Sequence, residues 1–550
     1  LIVAEAVGAA LAKLGVRTVF GVVGSGNFHV TGALVAGGAR FVAARHEAGA
    51  ATMADAFARA GGGVGVLSVH QGPGLTNALT GVTEAAKSRT PLLVLAAETA
   101  GSAVRSNFRV DQAALAAAVG AVPERVHSPA SALADVARAW RTAVTERRTV
   151  VLGLPLDVQA APYDGPVSVR EAPAPPAPVP PPEAIARLAD VLAGARRPVF
   201  LAGRGAAGAR EPLRALAERT GALLATSAVA RGLFRGDAFD LDVSGGFASP
   251  VTASLIRDAD VLVGWGCSLN MWTLRHGALV GEDTTVVQVD LDSDALGAHR
   301  PVDLGLVGDV AGTALAAESE LAQRDHSSPG ARSPSLAERL SHEVRWRDVP
   351  YEEETADDPG EALIDPRTLS IGLDDLLPTP RTVAVDSGNF MGYPAMYLEV
   401  PEGGLVFTQA FQSIGLGLAT AIGAAIARPD RLTVAALGDG GALMGVAELE
   451  TAVRLGLGLL IVVYDDEAYG AEVHHFGPEG HPLDTVRFPP ADIAEIGRGF
   501  GCAAITVRRR EDLAPVSDWL SGPRDRPLVV HAKVTSGRPA WWLEEAFRGH

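Results

Sequence analysis

The sequence predicts an α/β protein of three parallel-sheet domains, on three observations. Short Val/Leu/Ile/Ala runs alternate with helical patterns along the whole chain, the signature of βαβ units. The length, 550 residues, exceeds what one hydrophobic core supports, since domains hold roughly 100–200 residues each. Two breaks divide it: APAPPAPVPPP at 172–182, a stiff extended linker, and a polar stretch from about 323 to 358 ending in the solvated-looking block YEEETADD. The expected domains are 1–171, 183–322 and 364–550.

The opening LIVAEAVGAALAKLG repeats its apolar residues at helical spacing, and Glu5 and the lack of a basic leader favour an amphipathic helix over a signal segment. Strands are expected at 65–69, 91–96 and 149–153 in the first domain. The middle domain offers 198–202, 261–265 and 285–289, and the third 382–385, 432–437, 459–464 and 527–531. In the first domain a strand leads into GPG, a helix over about 75–87 and a returning strand. In the third a strand leads into GDGG, a helix over 446–455 and a returning strand. The shared order and similar length suggest two related domains flanking another.

Composition removes several function classes. With 47% hydrophobic and 20% charged residues the chain reads as globular and soluble. A net charge of −17 repels a phosphate backbone, so nucleic acid is not expected as a partner. No apolar run approaches the roughly 20 residues of a membrane span. Cys267 and Cys502 lie far apart in apolar segments without CxxC, as buried thiols of a reducing, cytoplasmic compartment.

LTVAALGDGG puts Asp439 in a glycine turn after a buried-looking strand, where backbone N–H groups and the next helix start favour an anion. A right-handed crossover, with Val446, Leu449 and Val453 on one helix face, returns Asp466 to the same carboxyl edge. Two carboxylates there suit a hard cation, with diphosphate oxygens and water completing the shell of Mg²⁺. The plainer reading makes Asp439 a helix cap and leaves Asp466 in a solvated turn with Asp465 and Glu467.

GDG at 438–440, the segment ELETAVRLGL and YDDEAYG at 464–470 closely resemble the diphosphate-binding motif of thiamine diphosphate enzymes, the group of acetohydroxyacid synthase, pyruvate decarboxylase, benzoylformate decarboxylase and pyruvate oxidase. The resemblance implies that Gly438, Asp439 and Gly440 face the diphosphate, and that Asp439, Asp466 and the Ala468 carbonyl ligate Mg²⁺. The family usually has asparagine where Asp466 stands.

RHEAGAATMADAFAR at 45–59 resembles the segment presenting the family's activating glutamate, here Glu47. A carboxyl at the pyrimidine ring nitrogen promotes the imino tautomer that deprotonates C2, and such acid–base groups typically contribute ~10²–10⁴-fold. As a bare feature Glu47 is also an ordinary helix-start acid. SVHQGPGLTN at 68–77 resembles the glycine loop over the pyrimidine, carrying Gly72 and Pro73. QSIGLGLATAIGAAIARPDR at 412–431 resembles the helix leading into GDG, with Ile414 as the bulky wedge between the cofactor rings, although core packing is the plain reading of an isoleucine there. The resemblance makes the first domain pyrimidine-binding and the third diphosphate-binding. It also implies a dimer or tetramer with sites between subunits. LAGRGAAGA at 201–209 lacks a dinucleotide fingerprint, so FAD is not supported.

The implied reaction is decarboxylation of a 2-oxo acid through a covalent enamine, whose fate separates a decarboxylase from a carboligase using a carbonyl acceptor, such as an acetolactate synthase. Ser25 and His70 stand where benzoylformate decarboxylase has its substrate serine and proton-handling histidine. That enzyme's other histidine has no secure counterpart, with Thr273 near its place and His276 slightly beyond. Glu472 stands where pyruvate decarboxylase keeps an active-site glutamate. The plain readings are a turn serine, a structural His70 and ordinary polar residues at His474 and His475. NFRVDQ at 107–112 is a candidate lining of the substrate entrance. A cofactor-binding protein with lost or redirected activity is the alternative of a different class.

Overall fold

A computed structural model describes residues 1–170, 173, 175–355 and 362–546. The chain forms three six-stranded sheets in which every named strand pair is parallel. The first contains β1 Thr18–Gly21, β2 Arg40–Ala43, β3 Gly65–Val69, β4 Leu92–Glu98, β5 Val122–Arg125 and β6 Thr149–Pro155. The second contains β7 Pro198–Ala202, β8 Leu223–Thr226, β9 Asp240–Val243, β10 Val261–Trp265, β11 Thr285–Asp290 and β12 Leu304–Val307. The third contains β13 Arg381–Val385, β14 Leu405–Phe407, β15 Leu432–Gly438, β16 Leu460–Asp465, β17 Ala503–Val507 and β18 Leu528–Lys533.

The expected strands are all present, most with bounds shifted by a residue or two. The unexpected ones are short, such as β5, reading VPER, and the three-residue β14. Runs of that length carry no usable periodicity.

Sheet one runs β2-β1-β3-β4-β6-β5 and sheet three β14-β13-β15-β16-β18-β17, the same order strand for strand. The relation inferred from two βαβ modules thus extends to whole domains. The middle sheet, β12-β11-β10-β7-β8-β9, has the doubly wound order seen in dinucleotide-binding folds. At its switch point the turns after β7 and β10 close on each other, and a Cβ on Gly203 would lie 2.2 Å from the Gly266 carbonyl oxygen.

Domains one and three share a core. One apolar cluster joins Phe20, Met53 and Leu75 to Leu418, Ile422 and Leu449. Helix Glu47–Phe57 packs on helices Pro73–Lys87 and Gly417–Ala427 at close range because glycines line the crossings. A Cβ on Gly423 would sit 2.2 Å from the Met53 carbonyl oxygen, and one on Gly81 2.7 Å from Ala51 Cβ. The middle domain keeps clusters of its own.

Two expectations need correction. The stretch 323–358 is not simply a solvated linker, for Ser333 caps helix Pro334–Glu343, whose Leu336 and Leu340 join the middle-domain cluster. YEEETADD packs onto the third domain where described: Tyr351 Oη pairs with Thr368 Oγ1 at 2.9 Å and Glu354 Oε1 accepts the Gly537 N–H at 2.6 Å. Its residues 356–358 lie outside the described residues, as do 172 and 174 of the proline stretch. Residues 175–181 have no regular structure, and Pro182 opens helix Pro182–Gly194 at a position where proline loses no hydrogen bond. The opening segment is helical over Val3–Lys13. Cys267 and Cys502 are buried, and burial pushes each thiol up to about 11. Among the described residues no helix is long and apolar enough to cross a membrane.

Candidate active site

The carboxyl edge of the first sheet gathers three loops. After β1, buried Asn27 accepts the Gly24 N–H at 2.8 Å and donates to Val22 O and Ser68 Oγ, folding FGVVGSGN back over the strand end. Ser25 is left exposed at its tip. After β3, His70 Nδ1 accepts the Gly26 N–H at 3.1 Å, so the neutral imidazole carries its proton on Nε2. A Cβ on Gly24 would lie 2.8 Å from that ring, and Phe108 meets the ring edge-on at 5.3 Å. Burial lowers the His70 pKa below 6.5, while the nearby Glu47 charge opposes the shift.

Gly72 has φ +67, and a Cβ there would lie 2.4 Å from the Phe108 carbonyl oxygen. Its N–H donates to Gln112 Oε1 at 2.9 Å, and Pro73 then opens helix Pro73–Lys87. NFRVDQ therefore packs directly on the glycine loop. Glu47, half-buried, begins helix Glu47–Phe57, and Asn77 Nδ2 donates to its Oε2 at 3.1 Å.

The same edge of the third sheet carries the acidic motif. The expected glycine turn is the first turn of helix Asp439–Met444, which starts at Asp439 itself; a second helix spans Glu448–Arg454. The glycines serve close approach: a Cβ on Gly440 would lie 2.7 Å from the Tyr469 ring and one on Gly441 2.4 Å from Asp386 Oδ2. Asp439 and Asp466 lie near enough for each to perturb the other's titration. Burial first, then the charges of Asp466 and Asp465, push Asp439 up to about 8. Asp466, raised chiefly by burial, reaches about 7. Two facing, desolvated carboxyls reluctant to ionise together form a donor set that a divalent cation would relieve.

Ala468 bridges Arg487, but the bonds of that bridge, Tyr469 N–H to Val486 O and Phe488 N–H to Glu467 O, leave the Ala468 carbonyl outside it. Two carboxylates and a carbonyl fit Mg²⁺ with diphosphate oxygens. Among the described residues no group of three or more His, Cys, Asp or Glu surrounds one cation position, so diphosphate and water would have to complete the shell. A cavity of about 460 Å³ opens beside Asp439 and Gly440, lined further by Leu443, Met444, Tyr469 and Phe488.

The solvated-turn reading fails for Asp465. It is buried at the end of β16, accepting from His531 Nε2 at 2.6 Å and Lys533 Nζ at 2.8 Å, and Lys533 also reaches Glu467 at 2.5 Å. Two β18 side chains thus hold both neighbours of Asp466. Ile414 is not in the helix: it lies half-buried in the preceding turn, between Gln412 and Gly415, both at positive φ. Asp386, fully buried after β13, accepts the N–H groups of Ser387 and Gly415, each at 2.9 Å. Sequence reading missed Asp386, although an acid ending a strand in DSGN carries the same signal as Asp439.

Glu472 is half-buried on helix Gly470–Phe476, in the domain opposite to that of His70 and Ser25. On that helix burial lowers the His474 pKa. Thr273 belongs to the middle domain, its hydroxyl donating to Asn270 Oδ1 at 3.0 Å, and His276 lies in a left-handed turn nearby.

Residues 2–117 match the thiamine pyrophosphate enzyme N-terminal TPP binding domain, 185–317 the central domain and 386–532 the C-terminal TPP binding domain of the same enzymes. The chain is 32% identical to a probable 2-ketoarginine decarboxylase of Pseudomonas aeruginosa, over 92% of this chain and 88% of that protein. It is 30% identical to a catabolic acetolactate synthase of Raoultella terrigena, over 94% of each. A sulfoacetaldehyde acetyltransferase of Rhodobacter capsulatus is 29% identical, over 92% and 89%.

Proposed function

This chain belongs to the thiamine pyrophosphate enzyme family, and from that premise we propose that it decarboxylates a 2-oxo acid and releases an aldehyde. The observation that carries the reading is His70, with its Nε2 proton directed away from the loop that fixes Nδ1 and with Glu47 close by on the same edge. Bound thiamine diphosphate supplies the electron sink for loss of carbon dioxide.

The chain's own residues do the rest in this proposal. Asp439, Asp466 and the Ala468 carbonyl would hold Mg²⁺, and the backbone of Gly438 and Gly440, packed against Phe390 and Tyr469, would face the diphosphate. Gly72 and Pro73 shape the loop over the pyrimidine. Glu47 would hold a proton at the pyrimidine ring nitrogen, and Ile414 would pack against the bound cofactor. Ser25 binds the substrate carboxylate, His70 Nε2 delivers a proton to the product carbon and Glu472 relays it. No step of this reading uses FAD.

Glu472 and His70 lie in different domains, and among the described residues no first-domain side chain lines the cavity at Asp439. Phe411, Leu443, Met444 and Phe488 are exposed in the third domain, as are Phe28, Val104 and Phe108 in the first. These features support sites completed between two copies of the chain, in a dimer or tetramer.

Similarity to acetolactate synthases favours a second reading, transfer of the acyl unit to a carbonyl acceptor. The test is a screen of pyruvate, branched, aromatic and guanidino 2-oxo acids, with and without acceptor carbonyls, resolving aldehyde from acyloin products. Aldehyde release without acceptor supports the first reading. Acyloin as the sole product supports the second, and binding of thiamine diphosphate without C2 proton exchange points to lost activity.

A further inference from the structure

Two buried glutamates cross the boundary between domains one and three in opposite directions. Glu448, 3% exposed on helix Glu448–Arg454, accepts the N–H groups of Arg45 and His46 at 3.1 Å, immediately before Glu47. Thr451 Oγ1 steadies its other oxygen at 2.7 Å. Glu84, 1% exposed on helix Pro73–Lys87, accepts the N–H groups of Ala410 and Phe411 at 3.2 and 2.7 Å, on the approach to Ile414. Arg59 lies 3.3 Å from Glu84 and donates to the Phe407 carbonyl at 2.5 Å, gripping the same segment from its other end.

The identical strand orders make the two arrangements counterparts. Glu84 lies on the crossover from β3 to β4 and binds the segment after β14. Glu448 lies on the crossover from β15 to β16 and binds the segment after β2. Burying a carboxylate is costly unless hydrogen bonds compensate, and the clamped N–H groups would otherwise need other partners. Charge-assisted bonds of this kind are roughly twice as strong as neutral ones.

We infer that Glu84 and Glu448 are reciprocal positioning residues, each fixing from across the domain boundary the segment by which the other domain presents its cofactor-facing side chain, Ile414 or Glu47. The inference rests on the roles proposed above for those two residues. If sites are shared between chains, one chain's Glu47 and Ile414 serve different cofactors, and the two clamps tie both sites to one polypeptide.

The test uses Glu448→Gln and Glu84→Gln, which keep side-chain size. In the full-length protein without cofactor, amide hydrogen exchange of the segment around 45–46 should speed up roughly tenfold in Glu448→Gln and leave 410–411 unchanged; Glu84→Gln should show the reverse. Thr451→Val, which only removes the hydroxyl steadying Glu448, should give the first pattern at smaller amplitude. At saturating thiamine diphosphate and Mg²⁺, Glu448→Gln should slow C2 proton exchange at least roughly tenfold with Mg²⁺ affinity retained, and Glu84→Gln should weaken cofactor retention. Unchanged protection at both segments, or equal loss at both with a fall in Tm, overturns the inference. So does normal C2 exchange in Glu448→Gln when Glu47→Gln abolishes it. Normal exchange in Glu47→Gln itself instead removes the role proposed for Glu47, while the amide pattern still reports on the clamps.

Discussion

Burial, then the Asp466 and Asp465 charges, pushes Asp439 up to about 8, and burial, then the Asp465 charge, pushes Asp466 up to about 7. Replacing Asp439 by alanine should therefore weaken Mg²⁺ and thiamine diphosphate binding together, each by at least roughly tenfold, in calorimetric titrations with metal and cofactor varied separately. Retention of both would reduce GDG to a helix start. His70 differs because its folded pKa lies below the ordinary 6.5. The unfolded chain therefore takes up this proton first as pH falls, so the contribution of His70 to stability is present above pH 6.5 and lost below it. His70→Gln should flatten that part of the Tm–pH curve. The same substitution should slow aldehyde release by ~10²-fold or more in stopped-flow product assays while C2 exchange stays near wild type.

The three-helix contact of Glu47–Phe57, Pro73–Lys87 and Gly417–Ala427 sets where the first domain sits on the third. Alanine for a mid-helix glycine ordinarily stabilises by roughly 0.5–1 kcal/mol. At Gly423 the added methyl meets the Met53 backbone at 2.2 Å, and backbone cannot step aside as a flexible side chain does. Gly423→Ala should therefore destabilise by about 1–3 kcal/mol in denaturant titrations, and also slow C2 exchange because Met53 shares a helix with Glu47. A Tm at or above wild type would show that the helices can separate without cost. On the metal side, β18 does similar work by holding Asp465 and Glu467 through His531 and Lys533.

Across the whole molecule, sheets of identical order present Glu47 and His70 at one carboxyl edge and Asp439 and Asp466 at the other. If two copies complete each site, mixing inactive Glu47→Gln and Asp439→Ala chains should restore roughly a quarter of wild-type activity by statistical pairing, once sequential purification on two different affinity tags confirms mixed oligomers. No recovery in verified mixed oligomers would place each site within a single chain. Chelation followed by dilution should likewise abolish activity, with return on adding Mg²⁺ and thiamine diphosphate together.

The sequence by itself determined the three-domain α/β architecture, the longer strands, the βαβ modules and the acidic motif, because each is written in local periodicity or in fixed spacing along one crossover. It also marked Glu47, His70, Ser25, Ile414 and Glu472 as candidates, through resemblance to a family to which the chain proves to belong. Short strands such as β5 and β14 were not legible, since their pairing is decided by neighbours distant in sequence. Nor were the turn that carries Ile414, the proton position on His70, or Asp386 behind Gly415. Glu84 and Glu448 read as ordinary helix acids, and only the tertiary structure sets each against backbone more than three hundred residues away. Hydrogen bonds between remote segments leave no periodic trace, so the packing of domain one on domain three alone decided what those glutamates hold.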